Sequence, residues 1–188
     1  MHRYNFATGF TVLLLLWSLS AYSVHAQIDC GTLQQWITID SKLSINQKHV
    51  FCGEWDRKRP KGLHSRPNGI NPDTVAVFTV QDKPNEAGIY TGRWSHKDNP
   101  NKNKFSSMFP DNCSVTQVLN SITHAVTHPF QCPAGAPDWT QCGFNKPRMT
   151  ESTVENNEQY CSQNDRLFTI GFAPPRDGRV NTAFPLFE

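Results

Sequence analysis

Six cysteines constrain this chain more than any other feature of its sequence. They stand at positions 30, 52, 113, 132, 142 and 161, all after an apolar N-terminal segment. An even number of cysteines in an exported chain predicts disulfides, although the sequence does not choose among the pairings. Zinc binding is the alternative, but no C-x-x-C motif occurs and the histidines are not spaced with the cysteines as zinc ligands are. We therefore expect disulfides formed by Cys30, Cys52, Cys113, Cys132, Cys142 and Cys161.

The first 26 residues have the features of a secretory signal peptide. Arg3 precedes an apolar run from Phe10 to Trp17, and the segment ends in Val24-His25-Ala26, an A-x-A-like cleavage site. Three serines interrupt the run well short of the ~20 apolar residues that a membrane anchor needs, which makes an anchor the weaker alternative. Cleavage after Ala26 predicts a secreted or periplasmic protein.

The mature segment, residues 27–188, has the length of one ordinary domain. The whole chain carries a net charge of +2, and Arg3 leaves with the signal, so the mature protein is close to neutral. Its bulk charge therefore points to no class of partner. We expect a monomer.

Hydrophobic periodicity predicts two helices and several strands. Residues 34–43 have a pattern that suits a helix, and 115–126 have the clearest helical pattern, with Asn112 or Ser114 as its cap. β-Branched and aromatic residues predict strands at 74–80 and 88–94, joined as a hairpin, and at 167–172 and 180–186. Residues 133–160 are poor in core formers and divided by cysteines, which predicts a stapled surface insertion. The sum is an α+β domain with antiparallel sheet.

One short segment concentrates the charged and titratable groups. Between Arg57 and Arg66 lie five cationic side chains, Lys61 among them, and no acid. Arginine binds phosphate through paired hydrogen bonds and lysine supplies a point charge, so this loop suits a polyanion. A solvated surface turn is the other interpretation.

Two histidines bracket most of that basic loop. His49 precedes it, and His64 lies near its end. Two imidazoles can serve as base and acid near neutral pH, and a lysine can stabilise charge on a phosphoryl group. These groups suffice to cleave RNA through attack of a ribose 2′-hydroxyl on the adjacent phosphorus. Near the C-terminus, Thr182 and Phe184 stand two apart and would project from one face of a strand, where a hydroxyl and a ring can hold a nucleotide.

In these motifs the chain resembles the bacterial branch of the EndoU endoribonucleases, relatives of the animal EndoU enzymes and of the coronavirus uridylate-specific endonuclease. The resemblance rests on His49-x-x-x-Gly53-Glu54, Lys61-Gly62-Leu63-His64-Ser65-Arg66-Pro67, Lys104 ahead of Ser106-Ser107-Met108-Phe109-Pro110, and Thr182-Ala183-Phe184-Pro185. It covers most of residues 44–187. It implies an EndoU-like fold in which two antiparallel β-sheets flank a catalytic cleft, with a few helices.

The resemblance also implies roles for individual residues. His64 resembles the family's general base, His49 its general acid, and Lys104 the third catalytic member. Thr182 and Phe184 match the positions that hold the nucleotide, uridine in many members. Many relatives have Tyr where this chain has Phe184, which keeps stacking but removes a hydroxyl. We further expect Lys61, Arg66 and Ser106 to bind substrate.

The activity that the resemblance implies is cleavage of RNA 3′ of uridines, giving 2′,3′-cyclic phosphate and 5′-hydroxyl ends. Family members differ in their response to manganese. Because no Asp/His/Glu cluster in this sequence resembles a metal site, we expect no required cofactor. RNA is the expected partner, and a toxin role would add a cognate immunity protein.

Two alternatives belong to other classes of protein. An RNase A-like ribonuclease is also secreted, disulfide-linked and dependent on two histidines and a lysine, but its histidines lie near opposite ends of the chain. An exported binding module could grip an anionic partner without cutting it, using exposed aromatics such as Trp139. His124 and His128, four apart on the main helix, suggest zinc, but no acidic partner lies near them in the sequence.

Overall fold

The computed structural model describes residues 27–148 and 157–188. The predicted signal peptide, residues 1–26, lies outside these residues, as does 149–156 of the predicted insertion. The strands are β1 (Trp36–Thr38), β2 (Ser44–Asn46), β3 (Glu54–Asp56), β4 (Arg59–Lys61), β5 (Val75–Val80), β6 (Tyr90–His96), β7 (Asn99–Met108), β8 (Gln141–Phe144), β9 (Thr169–Phe172), β10 (Arg179–Val180) and β11 (Ala183–Pro185). The α-helices in these ranges are α1 (Gln47–Phe51) and α2 (Val115–Thr127), and 3-10 turns cover Pro67–Gly69 and Asn157–Gln159. The α+β class is confirmed.

The strands form several small sheets. β5, β6 and β7 make an antiparallel sheet, and β11, β9 and β8 make a second. β3 and β4 form a separate hairpin, and a third three-stranded sheet has the order β1-β2-β10. The prediction of antiparallel sheets holds for the first two, whereas β10 pairs with β2 in the parallel sense.

Local sequence signals locate the longest helix and the central hairpin. α2 begins after Ser114, whose hydroxyl accepts from the backbone N–H of Gln117 while the Gln117 side chain accepts from the Ser114 N–H. This reciprocal capping box satisfies two of the free donors at a helix start. β5 pairs with β6 as the sequence predicts.

The helix predicted at 34–43 is wrong. Residues 36–38 form β1, which pairs with β2 after a turn in which the Asp40 carboxylate accepts from the backbone N–H groups of Lys42 (2.6 Å) and Leu43 (2.9 Å). The segment is rich in β-branched residues, and its sheet is completed by β10 from the far end of the chain. The partner of β1 is the neighbouring β2, and the β-branched residues at 37–39 were the local signal for a strand.

The prediction of a surface insertion over 133–160 is wrong for residues 141–144. They form β8, which pairs with β9, and Cys142 and Gly143 are buried. At Gly143 the backbone passes so close to α2 that a Cβ would overlap the main chain of Ala125. Gly143 allows α2 and β8 to pack closely. Because glycine is also typical of loops, its presence obscures the strand at 141–144 in the sequence.

Three disulfides cross-link the chain over separations of 10 to 48 residues. They are Cys30–Cys52, Cys113–Cys161 and Cys132–Cys142, and every cysteine of the chain is paired. The main core draws residues from Leu43 to Ala183 and packs the apolar face of α2 against the sheets. Within 27–148 and 157–188, no helix combines the length and the apolar character that crossing a membrane requires.

Candidate active site

His49 lies on the short helix α1 and is held at both its backbone and its ring. The Asn46 side chain accepts from the His49 backbone N–H at 3.1 Å and caps the helix. The ring Nδ1 lies 2.9 Å from a carboxylate oxygen of Glu54, the first residue of β3. His49 is only 7% exposed, and its bond to Glu54 orients the ring within this buried position.

Backbone hydrogen bonds place His64 beside His49. The N–H of Leu63 donates to the His49 carbonyl (2.8 Å), and the N–H of His64 donates to the Val50 carbonyl (2.7 Å). Gly62 makes this approach possible, because its φ is +71° and a Cβ there would overlap the His49 carbonyl oxygen. The two imidazole centroids are 6.1 Å apart.

The groups at the two Nδ1 atoms differ in charge. His64 Nδ1 lies 3.1 Å from the carbonyl oxygen of Ser107, which can only accept, so Nδ1 carries the hydrogen and Nε2 keeps its lone pair. Burial, followed by the charges of Lys104 and His49, lowers the pKa of His64 well below its usual 6.5. Glu54 is ionised, because its hydrogen bond with His49 lowers the pKa of its carboxyl. His64 is therefore neutral at pH 7, while His49 faces an anion.

Lys104 projects from β7 toward the same site. Its Nζ donates to the hydroxyl of Ser106 (2.7 Å) and to the carbonyl of Phe105 (3.0 Å). Burial lowers the pKa of Lys104 to about 8, so the ammonium is still mostly charged at pH 7. The Ser106 hydroxyl is buried, accepts from Trp94 Nε1 and donates to the Gly62 carbonyl. It therefore links Lys104 to the basic loop that carries His64.

A cavity of about 700 Å³ connects these groups. The predicted site residues that line it are His49, Lys61, His64, Lys104, Ser106, Thr182 and Phe184. The Phe184 ring lies 5.4 Å from the His64 ring, centroid to centroid. Residues from α1, β4, β7 and β11 thus meet at one site, together with Thr182, which lies just before β11.

Arg66 is the predicted site residue that the structure does not bring to the cavity. Its guanidinium bonds to Asn71 (2.8 Å), Tyr90 (3.2 Å) and Asp111 (3.3 Å) and lies over the Phe78 ring. The side chain is only 11% exposed. Arg66 therefore joins the basic loop to the β5–β6–β7 sheet instead of lining the cavity.

Two groups of the site lie beyond the roles predicted from the sequence. Glu54 appears in the sequence motif, but its bond to His49 depends on β3 folding back over α1. Trp139 lines the cavity, 5.8 Å from the Phe184 ring, and is 53% exposed. It lies in the loop closed by Cys132–Cys142, and the sequence indicated it only as an exposed aromatic of the binding-module alternative.

Comparison with known proteins gives one match, to a family. A family model described as bacterial EndoU nuclease matches residues 44–186, which include every residue that lines the cavity. No curated protein and no solved structure matches the chain.

Proposed function

The chain belongs to the bacterial EndoU nuclease family, and we propose that it cleaves RNA by attack of a ribose 2′-hydroxyl on the adjacent phosphodiester. One observation carries this proposal. Two histidines with different partners at Nδ1, a carbonyl and a carboxylate, lie 6.1 Å apart beside a lysine in one cavity. Family membership argues against the RNase A-like alternative.

His64 is the proposed general base. A neutral ring with its hydrogen on Nδ1 accepts a proton at Nε2, here the proton of the 2′-hydroxyl. Its lowered pKa keeps the base form populated at and below neutral pH. The 2′-oxygen then bonds to phosphorus, and the P–O5′ bond breaks.

His49 is the proposed general acid. It donates a proton to the departing 5′-oxygen, and the Glu54 carboxylate compensates the positive charge that the ring carries before this transfer. The products are a 2′,3′-cyclic phosphate and a 5′-hydroxyl. Lys104 stabilises the charge that gathers on the non-bridging oxygens during the transfer.

Thr182 and Phe184 are the proposed nucleoside site. A ring stacks on a base or ribose without regard to sequence, whereas a hydroxyl can bond to a base edge. Both residues line the cavity, and the Phe184 ring lies 5.4 Å from the ring of His64, beside which the 2′-hydroxyl must lie. Base, acid and cation are all side chains of this protein, so we propose that cleavage needs no metal. The three disulfides support action outside a reducing cytoplasm.

Cleavage of a uridine-containing oligoribonucleotide tests the proposal, in EDTA and then in manganese. We expect His49→Ala and His64→Ala each to lower kcat by at least about 100-fold, the range of general acid–base catalysis. His128→Ala is the matched control, because His128 caps α2 and does not line the cavity. An oligomer of adenosines with a single uridine should be cut at that uridine.

Two outcomes would overturn the proposal. Cleavage that survives in both cavity variants would mean that the activity comes from elsewhere. An absence of cleavage with retained RNA binding would favour the binding-module alternative.

A further inference from the structure

A second cavity adjoins the proposed active site. It has a volume of about 520 Å³, and its lining includes Trp36, Trp139, Arg176, Arg179 and Asn181. Trp139 lines both cavities, and Asn181 precedes Thr182 of the first. The two cavities therefore meet at Trp139 and beside Thr182.

Two arginines face each other in the second cavity. Arg176 and Arg179 form an antiparallel bridge around a tight turn, with N–H to carbonyl distances of 3.0 and 2.9 Å. Like charges directly opposite each other on two strands destabilise the pair. Within residues 27–148 and 157–188, neither arginine has a carboxylate oxygen within 4.0 Å. A pair of this kind is suited to an external anion.

The aromatic wall supplies the second half of a nucleotide site. The Arg179 guanidinium lies 5.4 Å from the centroid of the half-buried Trp36 ring. Trp139 is exposed and forms the boundary with the active site. Indole rings stack on any base, and guanidinium groups clasp phosphate oxygens in pairs.

We propose that this cavity binds a further nucleotide of the RNA strand being cleaved. Arg176 and Arg179 bind its phosphate, and the indole rings stack on its base. The inference rests on the RNA-cleaving function proposed above and extends the substrate from a dinucleotide to a longer single strand. Cleavage of longer strands is therefore more efficient than cleavage of a dinucleotide.

The test compares Arg176→Ala/Arg179→Ala with a control that removes the same charge, Lys83→Ala/Lys97→Ala, whose lysines line neither cavity. Binding is measured with a hexanucleotide carrying 2′-fluoro in place of every 2′-hydroxyl, over a series of salt concentrations. We expect the arginine variant to bind about tenfold more weakly at low salt, and its salt slope to fall by about 0.7 for each phosphate that the protein no longer neutralises. The kcat/KM for a cleavable dinucleotide should not change.

Arg176→Lys/Arg179→Lys should recover most of the salt slope, because the point charges remain. Equal effects of the arginine and lysine variants on the hexanucleotide would overturn the second site, as would an equal reduction in dinucleotide cleavage. Either result leaves the proposed function intact as long as the unmodified protein cleaves RNA. Failure of that protein to cleave any RNA would instead overturn the proposed function itself.

Discussion

His49 and His64 carry the same side chain, and their neighbours give the two rings different chemistry. A carbonyl at Nδ1 and a buried position keep His64 neutral, whereas an ionised carboxylate lies at Nδ1 of His49. Neither neighbour is adjacent in sequence to its histidine. These contacts favour His64 as the base and His49 as the acid. The sequence supports the same roles only through its resemblance to a family.

Lys104 gives a test at the scale of one residue. Burial lowers the pKa of its ammonium to about 8, so its charge is lost as the pH rises through that value. We expect the affinity for a 2′-fluoro oligoribonucleotide to fall severalfold between roughly pH 7 and pH 9, because one ionic interaction with phosphate weakens. Lys104→Arg stays charged throughout this range and should remove the step.

The measurement is fluorescence anisotropy of a labelled oligomer at constant ionic strength. Lys61→Arg is the control for a change from lysine to arginine elsewhere in the same cavity, and it should leave the step in place. An identical pH step in Lys104→Arg would mean that another group causes it.

Short sequence motifs contain most of the predicted residues that line the candidate site. The motifs around His49, His64, Lys104 and Thr182 lie in order along the chain, and the structure gathers them in one cavity. Arg66 is the exception among the predicted residues. It stands in a basic loop, but Asp111 and Tyr90, which hold it, come from other parts of the chain. The number of charges in a segment does not show which of them face substrate.

At the scale of elements, the β3–β4 hairpin serves two parts of the site. Glu54 and Lys61 are directly paired across it, so the hairpin presents a carboxylate to His49 and lines the cavity with Lys61, whose ammonium is paired with Asp56. Arg57 and Lys58 form its tip, with φ values of 45° and 78°. Asn and Gly are the usual residues of such a turn, whereas these two are long cations. The tip therefore combines an unfavourable backbone conformation with an exposed positive charge.

Lys58 allows these two properties to be separated. Lys58→Gly removes the charge and relieves the positive φ, whereas Lys58→Ala removes the charge alone. We expect the glycine variant to be about 1 kcal/mol more stable than the alanine variant, since the left-handed conformation costs about 1–2 kcal/mol for a residue with a Cβ. Both should bind RNA more weakly, and to the same extent.

Urea unfolding gives the stability difference, and oligomer binding at low salt gives the effect of charge. Equal stability of the two variants would show that the turn is not strained. Unchanged RNA affinity in both would show that the hairpin tip lies off the path of the RNA.

Elements were predictable where their signals are local. α2 has helical periodicity and its own cap, and β5 and β6 are consecutive strands joined by residues 81–89. β1 was missed although its partner β2 follows after a short turn, whereas the partner of β8, β9, is remote in sequence. β1 belongs to a sheet completed by residues 179–180, and β8 is a strand through its pairing with β9 and the close approach of Gly143 to α2.

At the scale of the whole molecule, the cavity exists only when both ends of the chain are in place. Its lining runs from His49 to Phe184, and the disulfides tie the segments between them. Cys113–Cys161 spans 48 residues and fixes the start of α2 to the C-terminal third. Cys132–Cys142 spans 10 residues and closes the loop that carries Trp139. The first therefore constrains the fold, and the second constrains a wall of the site.

This difference predicts distinct effects of removing each bridge. From the loop entropy of the unfolded chain, Cys113→Ala/Cys161→Ala should lower the free energy of unfolding by about 4 kcal/mol, and Cys132→Ala/Cys142→Ala by about 3 kcal/mol. The folded fraction of the first variant should cleave RNA with an unchanged KM, since its cavity is intact. The second should show a higher KM, because Trp139 is no longer held beside Phe184.

Urea unfolding and steady-state cleavage at a temperature where both variants are folded separate the two effects, with the oxidised protein as the reference. An unchanged KM in the second variant would mean that the loop holds its position without the bridge. Loss of all three bridges in dithiothreitol should remove a large part of a typical domain's stability of about 5–15 kcal/mol and abolish cleavage. In a cell, the nuclease would then become active only after export to a compartment where disulfides form, and a fully active reduced protein would contradict this coupling.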